Sequence, residues 1–167
     1  MLENVYMFAT QDSETKEGTA VIINFLQQLF PKDSFVNVED ILEYRIKDVD
    51  YIWKHGEREF LLEIKVDSYT TNNLFYEKYS NHEAKTIGAM EKTEADYIAY
   101  YYPNKGTLYM IDPKTLREYV NKYEKWLEPK FVKNTTFHSM GYKVPLSELG
   151  DNIIKAKFEN VYKELGK

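Results

Sequence analysis

A glutamate and a lysine lie two residues apart inside the apolar stretch FLLEIKV, at 60–66. Because side chains alternate between the two faces of a strand, Glu63 and Lys65 would project from the same face. A charged group in apolar surroundings is unfavourable unless it is paired, hydrogen-bonded or bound to a metal. The pair is therefore a candidate for chemistry that needs a carboxylate beside an ammonium group.

The context of this pair matters more than its spacing. Only Glu63-Ile64-Lys65 lies within an apolar strand, and Asp50 precedes Tyr51-Ile52-Trp53 on the partner strand of the same predicted hairpin. A hairpin can therefore bring Asp50 near Glu63. Acid-x-Lys triplets in general carry no weight, because the chain contains five of them, at 14–16, 63–65, 83–85, 112–114 and 128–130.

The three residues Asp50, Glu63 and Lys65 suit metal-assisted phosphodiester hydrolysis. Asp50 and Glu63 offer the hard oxygen ligands that Mg²⁺ prefers, and the backbone carbonyl of Ile64 is a plausible additional ligand. A bound metal lowers the pKa of its water, and Lys65 could orient that water or offset charge on the phosphate. Asp48 shares a face with Asp50 and competes with it for the metal role.

A helix predicted over residues 12–30 precedes the hairpin. Its apolar face contains Val21, Ile22, Phe25, Leu26 and Leu29. Asp12 and Ser13 are possible N-caps, and Pro31 ends the helix. Residues 35–46 fit either a strand or a short helix.

The remaining pattern indicates a single α/β or α+β domain, with a central mixed β-sheet flanked by helices. Residues 82–93 fit a short helix or a loop. The other expected elements are strands at 48–54, 59–66, 74–80, 96–102 and 107–112, a helix starting at Asp112-Pro113, a late strand in GYKVPLSEL, and an amphipathic helix over 151–165.

The motif resembles that of the PD-(D/E)xK nuclease superfamily, which has a restriction-endonuclease-like fold. Asp50, twelve intervening residues and Glu63-Ile64-Lys65 match it, although Val49 stands where the motif has Pro. In such proteins the hairpin follows a helix that often supplies one more acid, here Glu17 or, alternatively, Glu14. The resemblance implies a metal-dependent deoxyribonuclease in which Asp50 and Glu63 hold Mg²⁺ or Mn²⁺ and Lys65 assists the attacking water.

The downstream sequence is similar to a narrower group of small phage-type nucleases of this superfamily. The similarity covers roughly residues 10–118. Thr86-Ile87-Gly88 stands where that group often has Gly-Trp, which weakens the match at Lys85. The residues that fall on the group's positions are Asp67, Asn73, Glu77, Ser80 and Lys85.

Composition bounds the classes of function. The 167 residues are 43% hydrophobic and 29% charged, as in a globular domain. A net charge of −5 argues against a protein that coats DNA by general attraction, but less against a metal-dependent nuclease. The absence of cysteine, of a signal peptide pattern and of a membrane-length apolar run fits the cytoplasm. The resemblance to phage-type nucleases implies that this is the cytoplasm of a bacterial or phage-infected cell.

Other interpretations of the same residues stay open. The chain could be a catalytically inactive nuclease-fold module that binds nucleic acid or protein, or a structural protein with a solvated Glu63–Lys65 pair. DNA is the expected substrate and no membrane partner is expected. A homodimer is plausible because cutting both strands often needs two active sites.

Overall fold

The structure is a computed structural model and describes residues 2–69 and 71–157, except for the side chains of 2–13, 152, 156 and 157. The described α-helices are α1 (Leu2–Leu29), α2 (Leu42–Ile46), α3 (Ala89–Lys92) and α4 (Pro113–Tyr123). The described strands are β1 (Ser34–Asn37), β2 (Tyr51–His55), β3 (Arg58–Val66), β4 (Asn73–Asn81), β5 (Thr86–Ile87), β6 (Tyr97–Tyr102), β7 (Thr107–Ile111), β8 (Pro129–Lys133), β9 (His138–Pro145) and β10 (Ile153–Lys157).

The strands form two sheets. The larger sheet has six strands in the order β1-β2-β3-β6-β7-β10, and β3 and β6 are its parallel pair. The smaller sheet has four antiparallel strands in the order β5-β4-β9-β8. The predicted α+β domain with a mixed sheet is therefore confirmed, whereas the second sheet was not predicted.

Helix α1 covers one face of the larger sheet. Ile22 and Phe25 pack against Leu62 and Ile64 of β3. Gly18 lets the helix approach closely, because a Cβ atom there would lie 2.7 Å from both methyl carbons of Val66. The even-numbered residues of β3 therefore face α1, and the odd-numbered residues Glu63 and Lys65 project from the opposite face, as the alternation predicts.

The smaller sheet and α4 cover that opposite face. Tyr100 and Tyr102 of β6 pack there against Leu74 and Tyr76 of β4. Tyr101, between them, faces α1 and is also buried. Strand β6 is thus enclosed on both faces, which explains why its run of three tyrosines does not alternate with polar residues.

Near both ends of the chain, the structure differs from the sequence-based prediction. The amphipathic helix expected over 151–165 is wrong for its first part, because Ile153–Lys157 is strand β10, paired antiparallel with β7; residues 158–165 lie outside the described residues. The first helix begins at Leu2, so Asp12 and Ser13 lie within it and cannot be N-caps. No glycine or proline interrupts the chain before Gly18.

The centre of the chain needs smaller corrections. Strand β2 begins at Tyr51 rather than at Asp48, because Asp48 has a φ of 47° and so cannot continue a strand. Residues 35–46 contribute both candidate elements, the end of β1 and helix α2. The predicted N-cap of α4 is confirmed, since the Asp112 side chain accepts a hydrogen bond from the Lys114 backbone N–H.

Candidate active site

The hairpin of β2 and β3 brings Asp50 beside Glu63. Strand register pairs Tyr51 with Leu62, and the N–H of Asp50 donates to the carbonyl of Leu62 at 2.9 Å. Oδ2 of Asp50 accepts the N–H of Ile64 at 2.8 Å. The Asp50 carboxylate therefore continues the hydrogen-bond ladder at the point where the backbone of β2 turns away.

Glu63 and Lys65 form an ion pair on the face opposite to α1. Oε1 of Glu63 lies 2.7 Å from Nζ of Lys65. Glu63 is only 4% exposed, and burial raises the pKa of its carboxyl to about 7; the charges of Asp50 and Asp48 add to the rise and Lys65 opposes it. A buried carboxyl of this kind binds a proton or a cation more readily than a solvated one.

Lys65 is the more accessible member of the pair, with a side chain 36% exposed. Burial alone would lower the pKa of its ammonium group, but the carboxylates of Glu63, Asp50 and Glu77 outweigh that effect and raise it. Lys65 is therefore charged at neutral pH. Such a group can donate hydrogen bonds to an anion but cannot serve as a base.

A cleft of about 520 Å³ lies beside Asp48 and is bordered by β4, β5 and α3. Asp48 is on its wall, and the charge of Asp48 reaches Glu63. Oδ2 of Asp48 lies 3.2 Å from Nζ of Lys92, and the Asp48 carbonyl accepts the hydroxyl of Thr93 at 2.7 Å. The other lining residues are Glu77, Ser80, Thr86, Ile87, Ala89 and Lys92.

Glu77 enters the same region from the smaller sheet. Its Oε2 accepts the N–H of Ala89 at 3.1 Å, and its charge acts on Lys65. Gly88 permits this approach, because a Cβ atom there would lie 2.5 Å from the Glu77 carbonyl oxygen. The acids around the pair are thus Asp48, Asp50 and Glu77.

The structure does not bring Glu17 to this site. Glu17 is exposed on α1, next to the Gly18 that packs on Val66, and α1 covers the other face of β3. Oε2 of Glu14 accepts the hydroxyl of Ser68 at 2.9 Å instead. Among the side chains that the structure describes, no three acids or histidines form a metal-binding group.

The other residues on the phage-nuclease positions have separate surroundings. Oδ2 of Asp67 accepts the hydroxyl of Tyr100 at 2.7 Å, and the carbonyl of Asn73 accepts that of Tyr102 at 2.6 Å. The first contact ties β6 to the residue that follows β3, and the second ties β6 to the start of β4. Lys85 is exposed, has a φ of 55°, and lies over the ring of Tyr79.

The donor set at Asp50 and Glu63 fits a hard divalent cation. Both carboxylates belong to the hairpin, and the N–H and C=O of Ile64 point to the edge of β3 where Asp50 lies. Carboxylate and carbonyl oxygens are the ligands that Mg²⁺ and Mn²⁺ accept. Asp50, Glu63 and the carbonyl of Ile64 could therefore hold such an ion, and this assignment stays a prediction.

Lys92 is a site-lining residue that the sequence did not predict. It lies at the end of α3, in a stretch that fitted either a short helix or a loop, and it gave no motif. Its role depends on the contact with Asp48, forty-four residues earlier.

Comparison with protein-family models, with curated proteins and with solved structures finds no match. Within the described part of the chain, no helix is both long enough and apolar enough to cross a membrane.

Proposed function

We propose that this protein is a Mg²⁺- or Mn²⁺-dependent deoxyribonuclease with a restriction-endonuclease-like fold, whose site consists of Asp50, Glu63 and Lys65. One observation carries the proposal. The carboxyl of Glu63 is buried beside the ammonium group of Lys65 and the carboxylate of Asp50, on the face of β3 that α1 leaves uncovered. A solvated surface ion pair would not need that burial.

The residues of the chain would divide the work as follows. Asp50, Glu63 and the Ile64 carbonyl would hold the ion. When bound, Mg²⁺ or Mn²⁺ lowers the pKa of a water and stabilises charge on a phosphate. Lys65, kept charged by its acidic neighbours, donates hydrogen bonds to the attacking water or to a phosphate oxygen.

Lys92 and Lys65 also support a phosphate-containing substrate. Lys92 borders the cleft beside Asp48, and its side chain is 42% exposed. The ammonium group of Lys92 in this cleft and that of Lys65 beside Glu63 offer two donors for a phosphodiester backbone. DNA as the substrate would place the protein in the cytoplasm of a bacterial or phage-infected cell.

The test is a cleavage panel with purified protein and a Lys65→Ala control. Supercoiled plasmid, linear duplex and single-stranded DNA are incubated with Mg²⁺, Mn²⁺ or EDTA. Cutting that needs the metal and that Lys65→Ala loses supports the proposal, and the preferred substrate then separates endonuclease from exonuclease activity. Cutting that is equally fast in EDTA or in Lys65→Ala overturns it.

A catalytically inactive binding module is the second candidate. The observation that favours it is the separation of Glu17 from Asp50 and Glu63, which leaves no third acid from α1 at the site. Such a module would bind DNA or another protein without cutting any substrate of the panel, and Asp50→Asn would change no metal response.

A further inference from the structure

We propose that Thr93 is a positioning residue of the candidate site, which acts through Asp48 to hold the carboxylate of Asp50 beside β3. Thr93 is the C-cap of α3 and is only 2% exposed. Its hydroxyl donates a hydrogen bond to the Asp48 carbonyl at 2.7 Å. A role at a metal site rests on the proposed function, whereas the position of Asp50 can be measured without a metal or a substrate.

Asp48 ends helix α2 in a conformation that usually requires glycine. Its φ is 47°, and its N–H donates to the Arg45 carbonyl at 3.2 Å. The N–H of Val49 donates to the Tyr44 carbonyl at 3.1 Å. These two bonds define a Schellman motif, in which the left-handed residue is most often glycine. An aspartate at this position therefore benefits from further contacts that hold the same conformation.

The end of α3 supplies those contacts. Nζ of Lys92 lies 3.2 Å from Oδ2 of Asp48, while the hydroxyl of Thr93 binds the Asp48 carbonyl. The N–H of Glu94 donates to the Lys47 carbonyl at 2.9 Å. Lys92 and Glu94 are exposed, so Thr93 is the enclosed member of the three. Its hydrogen bond is the one that water replaces least readily.

Arg117 of α4 holds Thr93 in place. Its Nε donates to the Met90 carbonyl at 3.0 Å, and its Nη2 donates to the Thr93 carbonyl. The Thr93 hydroxyl also accepts the N–H of Ala95 at 3.1 Å. Because this acceptor position is occupied, the hydroxyl proton is directed at the Asp48 carbonyl.

Asp50 follows Asp48 after one buried residue. Val49 is 1% exposed and packs against Val38 in a small apolar cluster. With Val49 enclosed there, the backbone of Asp48 sets the direction in which the chain enters β2. The hydrogen bond from the Ile64 N–H to Oδ2 of Asp50, at 2.8 Å, depends on that direction.

The test measures amide hydrogen exchange of the full chain by NMR in EDTA. The Ile64 N–H is the reporter, since the Asp50 carboxylate accepts it. The amides of β6 report global stability. Thr93→Val keeps the shape of the side chain but removes the hydroxyl, and should speed Ile64 exchange about tenfold relative to β6. Thr93→Ser keeps the hydroxyl and should stay within about twofold of wild type.

Thr107→Val is the matched control. Thr107 is 3% exposed, and its hydroxyl donates to the Lys105 carbonyl at 3.0 Å, so the same chemistry is removed from β7. Any loss of stability in this variant should affect Ile64 and the β6 amides equally. A selective effect at Ile64 would then belong to Thr93 alone.

A second pair of variants tests the conformation of Asp48 directly and serves even if Thr93→Val does not fold. Asp48→Gly and Asp48→Ala both remove the carboxylate, but only glycine adopts a φ of 47° without strain. Asp48→Ala should speed Ile64 exchange about fivefold relative to β6, whereas Asp48→Gly should stay within about twofold of wild type. Equal exchange in these two variants overturns the proposal.

Mn²⁺ titration of the same proteins connects this role to the proposed function. Thr93→Val should bind Mn²⁺ about tenfold more weakly than wild type and Thr93→Ser. A wild-type protein that binds no Mn²⁺ would contradict the proposed function, and Ile64 exchange would still decide the role of Thr93. Ile64 exchange that Thr93→Val leaves unchanged, or that Thr93→Ser speeds as much, overturns the proposal.

Discussion

The ammonium group of Lys65 lies 2.7 Å from the carboxyl of Glu63, yet the two side chains differ sharply in exposure, at 36% and 5%. The carboxyl group is enclosed, whereas the ammonium group reaches the surface. Breaking such a pair by removing the lysine leaves an uncompensated buried charge, whereas replacing the acid by an amide does not. The pH dependence of stability and the cation response of the site both follow from this difference.

Glu63→Gln should remove a pH-dependent loss of stability. The pKa of Glu63 is raised from 4.5 to about 7 in the folded protein. The stability that protonated Glu63 contributes is therefore fully present below pH 4.5 and is lost as the pH rises to about 7. The shift corresponds to at most about 3 kcal/mol. Urea unfolding in EDTA across this range should show wild type losing stability relative to Glu63→Gln.

A matched control for this experiment is Glu118→Gln, because Glu118 is exposed on α4. It should show the wild-type pH profile. If the profiles of wild type and Glu63→Gln were parallel between pH 4.5 and 8, the Glu63 carboxyl would be ionised as easily as a solvated one.

Asp50→Asn should abolish a metal-dependent increase in the melting temperature while the fold is kept. The amide oxygen can still accept the Ile64 N–H, so we expect a stability change within about 1 kcal/mol. The lost negative charge removes a ligand that Mg²⁺ and Mn²⁺ prefer. Thermal unfolding with Mn²⁺ or EDTA measures the effect, and Asp151→Asn is the exposed control. An equal metal response in wild type and Asp50→Asn would contradict the assignment of Asp50.

Gly18→Ala should destabilise the wild-type protein but be neutral or stabilising in a Val66→Ala background. The new methyl group would overlap with Val66, an overpacking that destabilises by about 1–3 kcal/mol. Alanine is otherwise the better helix residue by about 1 kcal/mol. In a Val66→Ala background the overlap is relieved, so the same change should become neutral or stabilising. Denaturant unfolding of the four proteins gives the answer, and effects of equal sign and size would refute this packing.

Glu17→Gln should leave the proposed DNA cleavage within about twofold of the wild-type rate, since the side chain is exposed on the helix that covers the opposite face of β3. Initial cleavage rates with Mg²⁺ test this. A loss as large as that of an Asp50 or Glu63 variant would mean that α1 contributes an acid to the site after all.

The local sequence pattern predicted the β2–β3 hairpin and the face of β3 from which Glu63 and Lys65 project. Alternation within FLLEIKV determined which side of β3 carries Glu63 and Lys65, and burial of Leu62 and Ile64 beneath α1 enforces that choice. The proximity of Asp50 to Glu63 followed from the hairpin alone. These features depend on neighbours that are close in sequence.

The features that the sequence did not predict depend on strands that are far apart in the chain. Ile153 and Ile154 suit a helix face, but the exposed edge of β7 recruits them as a strand. The smaller sheet requires β4 to pair with β9 across more than sixty residues, and it carries Glu77 to the site. The expected placement of Glu17 beside Asp50 and Glu63 could not be checked from the local pattern for the same reason. The face on which α1 packs is a property of the whole sheet.

The most direct test of the proposed site compares the Mg²⁺-dependent cleavage rate of wild type with that of Glu63→Gln on the substrate that wild type cuts best. The amide keeps the size of the buried group, so circular dichroism should show a folded variant. The account predicts a rate loss of at least about a hundredfold. A folded Glu63→Gln protein that cuts DNA at a near-normal rate would contradict it.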